Sequence, residues 1–65
     1  MLDLIDGRKY VDRFGDTWQA HGAGFLHIAR VGDDGPPDPS IHRHYAEAAI
    51  VARDFGPMVP IEEQQ

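Results

Sequence analysis

The sequence predicts an α+β domain: an antiparallel meander of three or four short strands with one C-terminal helix packed on it. Three observations carry this expectation. Glycine-centred turn signals punctuate residues 1–31 at short intervals, as consecutive hairpins require. Residues 38–56 hold helix start and stop residues around an apolar stripe of helical period. Between them, Gly32-Asp33-Asp34-Gly35-Pro36-Pro37 supports neither helix nor strand, because proline lacks the amide donor and glycine is expensive to order. The expected organisation is one small domain over 1–65: meander 1–31, linker 32–37, helix 38–56 and extended tail 57–65.

Each strand is justified by the turn beside it. Asp6-Gly7 is a two-residue hairpin signal of type I′, joining Leu2–Ile5 to Arg8–Asp12. Asp12-Arg13-Phe14-Gly15-Asp16 fits a type I turn with Gly15 at the left-handed bulge position, leading into Thr17–Ala20. His21-Gly22-Ala23-Gly24 opens a looser turn into Phe25–Val31. The period of two then assigns faces. Tyr10 and Asp12 share one, Trp18 and Ala20 another, and Phe25, His27, Ala29 and Val31 a third, with Leu26, Ile28 and Arg30 opposite. A last strand apolar on both faces suggests a central strand covered on both sides.

The helix is expected to start at Asp38 as N-cap with Pro39 in its first turn, and to stop at Gly56-Pro57. At about 100° per residue Ile41, Tyr45, Ala48, Ala52 and Phe55 form one stripe. Arg43, Glu47 and Asp54 lie opposite, with Ile50 among them. Met58-Val59-Pro60-Ile61 reads as an extended, proline-interrupted segment.

Composition bounds the function. A 65-residue chain buries only about 60% of its unfolded surface, so its core is lean. Without cysteine there is neither a disulfide framework nor a thiolate zinc site to reinforce it. Six basic residues against 11 acidic ones give a net charge of -5, and the basic residues form no stripe, which disfavours direct nucleic-acid binding. No apolar run approaches the roughly 20 residues that span a bilayer, and residues 1–6 lack the pattern of a secretory signal. The expected compartment is the cytoplasm.

The residues that could carry chemistry have simpler explanations. On a helix, His42 and His44 would point about 200° apart and could not chelate one ion, while His21 and His27 sit in a turn and a strand. Ser40 lies where capping explains it, and Asp12 and Asp16 are the residues a type I turn favours. Gly22-Ala23-Gly24 has no following helix to form a phosphate cradle. No catalytic residue, metal ligand or cofactor site is expected. The remaining surface candidates are apolar, and Phe14, Leu26, Ile28, Ile50, Met58, Val59 and Ile61 are the expected partner contacts.

The run Asp6-Gly7-Arg8-Lys9-Tyr10-Val11-Asp12-Arg13-Phe14-Gly15-Asp16-Thr17-Trp18 resembles a pattern in short proteins of actinobacteria and their phages. There a tyrosine strand leads through a D-x-x-G-D turn to a tryptophan strand. The resemblance implies a phage or actinobacterial source and transfers no activity. The expected function is a non-enzymatic protein-interaction module, acting as an oligomer or bound to a larger protein. Two rivals are an acidic inhibitor that occupies a host protein's nucleic-acid-binding site, and a small histidine-dependent metal-binding or hydrolytic protein.

Overall fold

The computed structural model describes residues 5–61. Five strands, β1 (Lys9–Val11), β2 (Thr17–His21), β3 (Gly24–Ala29), β4 (His44–Glu47) and β5 (Val59–Pro60), form one sheet in the order β4-β3-β2-β1-β5. Every neighbouring pair is antiparallel. A 3-10 turn spans Pro39–Ile41, and the helix α1 spans Ala48–Phe55. The α+β class is therefore as expected, with a wider sheet and a shorter helix.

The turns show how local chemistry sets register. Gly15 adopts φ +91° and its N–H donates to the Asp12 carbonyl at 3.1 Å, so β1 and β2 pair with Val11 opposite Thr17. Gly22, at φ +60°, makes the connection from β2 to β3 tight rather than loose, with His21 directly opposite Gly24. The Asp6-Gly7 turn is not type I′, which needs positive φ at both centres. Gly7 alone has it, at +87°, and Arg8 N–H donates to the Ile5 carbonyl at 3.0 Å. Ile5 is not in a strand, and the rest of the expected first strand lies outside the described residues.

The expected helix over 38–56 divides into three pieces. Asp38 does cap as expected, accepting from the Ser40 amide at 3.0 Å, but it caps only the 3-10 turn. His44–Glu47 then runs as β4 along the free edge of β3, with Leu26 opposite Tyr45 and Phe25 opposite Ala46. A full ladder on an open sheet edge outweighs the weak helix propensity of His44 and Tyr45. The helix begins only at Ala48 and ends at Gly56, whose N–H donates to the Ala52 carbonyl at 3.1 Å.

One face of the sheet carries the core. Rows run across the strands as Tyr10–Trp18–His27–His44 and Ala20–Phe25–Ala46. Tyr10, Trp18, Ala20 and Phe25 are buried with Val51 of α1, and Ala46, Ala48, Phe55 and Met58 pack around them. Tyr10 and Trp18 each set an edge against Phe25, at centroid distances of 5.3 and 6.4 Å. Tyr45 and Ile41, expected in the buried helix stripe, are instead exposed.

A bulge in β3 breaks the expected alternation there. Thr17 pairs with Ala29 and Trp18 with His27, leaving Ile28 as the extra residue. Ile28 is buried, beside a cavity of about 280 Å³ that the returning segment lines with Asp33, Pro36, Ile41 and Arg43. The linker region thus covers the end of the strand that was expected to need a partner. Arg43 binds Asp33 at 2.9 Å and holds the segment there.

Candidate interaction surface

The polar groups inside the fold serve its own architecture. Asp12 is only 4% exposed, and its carboxylate is met by three donors. Its Oδ1 accepts from the amides of Phe14 at 2.8 Å and Asp16 at 3.0 Å, and its Oδ2 accepts from Trp18 Nε1 at 2.8 Å. A carboxylate can only accept, so these donors compensate its burial. Asp16 Oδ2 lies 3.0 Å from His27 Nε2, and its Oδ1 accepts from the Val31 amide at 2.9 Å. The His27 ring lies against Trp18 at 4.7 Å. The Asp12–Asp16 pair therefore closes a hairpin and orients two rings. Ser40 Oγ donates to Asp38 Oδ1 at 2.8 Å, which is a capping contact.

Surface carboxylates are similarly engaged. The Asp33 carboxyl is held below its ordinary range, first by the Arg30 backbone amide and then by the Arg43 guanidinium. The Ser40 hydroxyl and amide lower Asp38, and Arg53 lowers Asp54. His27 and His44 are direct cross-strand neighbours, although the sequence placed one on a strand and the other on a helix. Among the described residues no three histidine, aspartate or glutamate side chains are grouped to hold a metal ion. Among them, too, no helix is long and apolar enough to cross a membrane.

The expected partner contacts do not form one patch. Phe14 is exposed at the β1–β2 turn, leaning edge-on toward Phe55 at 6.0 Å with the Arg13 guanidinium 5.0 Å from its ring. Leu26 is half-buried in β3, between Gln19 and Tyr45. Ile28 and Met58 contribute to the protein's own interior: Ile28 is buried, and half-buried Met58 packs on the core. Val59 is exposed in the edge strand β5, and the amide of half-buried Ile61 donates to the Lys9 carbonyl at 2.9 Å. Ile50, 41% exposed, stands at the opposite edge beside β4.

That edge borders an open groove. The Ala48 amide donates to the Ala23 carbonyl at 3.0 Å, and Gly24 pairs with Glu47. Antiparallel ladders alternate, so Ala46 and His44 turn their backbone groups toward β3 while Tyr45 and Glu47 turn theirs outward. Beside these groups lies an open groove of about 430 Å³, mostly apolar, formed by His44, Tyr45, Ala46, Glu47 and Ile50. The Tyr45 ring lies over Gly24, where an added Cβ would come within 2.7 Å of the tyrosine hydroxyl. Sequence reasoning found Ile50 but missed Tyr45 and Glu47, because a helical reading places one in the core stripe and the other on the solvent face. No local signal distinguishes the two outcomes.

The other edge is different in kind. β5 has only two residues, and one of them is Pro60, which has no donor to offer a further strand. The two edges of the sheet are thus unequal: one blunted by proline, one open beside an apolar groove. No protein-family model matches the chain, and no curated protein or solved structure matches it either.

Proposed function

We propose that the chain is a non-enzymatic protein-interaction module that takes an extended segment of a protein partner onto the β4 edge. One observation carries this reading: the outward backbone groups of Tyr45 and Glu47 lie next to the groove that Ile50 and Ala46 line. Strand addition uses both features, the backbone for affinity and the groove for side-chain selection. The open edge favours this over an acidic inhibitor, which needs a cluster of free carboxylates, whereas Asp12, Asp16, Asp33, Asp38 and Asp54 are each bound within the fold.

Selection from a displayed peptide library on the folded protein, followed by amide-shift mapping, tests the proposal. Selected peptides should perturb the Tyr45 and Glu47 amides and adjacent β3 residues. Peptides that map instead to Phe14 or to Val59 would move the interaction elsewhere and overturn the β4 reading.

A further inference from the structure

Resting on that edge-strand reading, we infer that the segment taken by β4 is basic, alternating cationic and apolar side chains, and is not a second copy of this chain. Charge complementarity decides between the two. The two arginines of the segment that carries β4 and α1 are already engaged: Arg43 with Asp33 and Arg53 with Asp54, each at 2.9 Å. Glu47 has no ion pair or side-chain hydrogen bond among the described residues, so the unbalanced charge at the edge is negative. The whole chain adds a net charge of -5. A second copy paired about a two-fold axis at Ala46 would set Glu47 opposite Tyr45 of that copy, with no cation to meet it. It would also bring two chains of like net charge together.

A basic strand meets the same edge differently. Its residue opposite Glu47 lies on the Glu47 face of the sheet, about 5 Å away across the ladder, where lysine or arginine can reach the carboxylate. Its alternate residues lie on the other face, beside Ala46 and Ile50, where apolar side chains fill the groove. Long-range attraction from the acidic surface speeds the encounter and makes it salt-sensitive.

The backbone supplies a clean test. Glu47 has φ −61° and ψ 146°, which proline adopts without strain, and its N–H faces away from β3. Glu47→Pro therefore removes the outward donor and the carboxylate while leaving the β3–β4 ladder intact. The probe is a short amidated peptide alternating valine and lysine, compared with its valine–glutamate counterpart by fluorescence anisotropy. The lysine peptide should bind about tenfold tighter at low salt, lose that preference in Glu47→Gln, and fail to bind Glu47→Pro. If both peptides bind equally and both are lost in Glu47→Pro, the edge reading stands and the basic partner is overturned. A solution mass of two chains for the wild type, falling to one in Glu47→Pro, would make a second copy the occupant and likewise overturn it. Binding of the lysine peptide unaffected by Glu47→Pro would overturn the edge reading itself. Should Glu47→Pro melt well below the wild type, amide-shift mapping on the wild type replaces it: Tyr45 and Glu47 must move first on titration, and their silence overturns both.

Discussion

Removing the Asp12 carboxylate should unfold much of this protein's stability margin, because three donors converge on one buried side chain. In Asp12→Ala the Phe14 and Asp16 amides border solvent and recover water partners. Trp18 Nε1 does not, since Trp18 is only 2% exposed. An unsatisfied buried donor costs about 1–3 kcal/mol, and each lost bond to a charged acceptor another roughly 1–2 kcal/mol after rehydration. The sum is about 3–7 kcal/mol, against a whole-domain stability of roughly 3–10 kcal/mol for a chain of this length. Asp12→Ala should therefore lower the melting temperature by about 15 °C or more. Asp12→Asn keeps the shape but turns an amide donor toward other donors, and should fall between the two. Thermal and urea unfolding followed by far-UV circular dichroism measures this, and a double-mutant cycle with Trp18→Phe isolates the indole contact. The cycle should show a coupling of about 1–3 kcal/mol. A melting temperature for Asp12→Ala within about 2 °C of wild type, or a coupling near zero, would refute the argument that burial makes this carboxylate structural.

Three further outcomes are expected. Gly15→Val should cost more than about 1 kcal/mol, since a β-branched residue is strained at φ +91° and its Cβ would crowd Val31 Cγ2 at 3.2 Å; an unchanged melting temperature would contradict the bulge geometry. Phe25→Ala should cost roughly 3–5 kcal/mol and Tyr45→Ala under about 1 kcal/mol, because the first is fully buried and the second is 45% exposed; equal losses would mean β4 is misplaced. Asp33 ionises more readily in the folded state than at its ordinary value of 3.8, so its contribution is present above that value and lost as pH falls through the lower folded one. The difference in melting temperature between wild type and Asp33→Asn should accordingly shrink between about pH 5 and about pH 2, and a difference that grows on acidification would reverse the sign.

What the sequence made legible is what short-range physics decides. Gly15 is visible as a bulge residue because only glycine tolerates that backbone, and the Asp12–Asp16 hairpin follows from five neighbouring residues. Gly56-Pro57 ends the helix for equally local reasons. Asp12 shows where knowledge of type stops short of knowledge of role. The turn chemistry explains its Oδ1, but its Oδ2 contact with Trp18 depends on Asp12, just past the end of β1, reaching the indole that β2 buries beside Tyr10.

The open edge was not legible, and the reason is specific. Ile41, Tyr45, Ala48, Ala52 and Phe55 recur at helical spacing, so the stripe is indistinguishable from one long helix until β3 is given an unpaired edge. Once it has one, the ladder from Leu26 to Tyr45 joins residues far apart in sequence and outweighs the local pattern. The same event decides the candidate site. Pulling His44–Glu47 out of the helix moves Tyr45 from the core to the surface and turns the Glu47 amide outward. It leaves Ile50, at the start of the remaining helix, to form the side of the groove. A segment that could be helix or strand has become the strand with the exposed edge, and the residues that escaped sequence reasoning are the ones on which the proposed interaction depends.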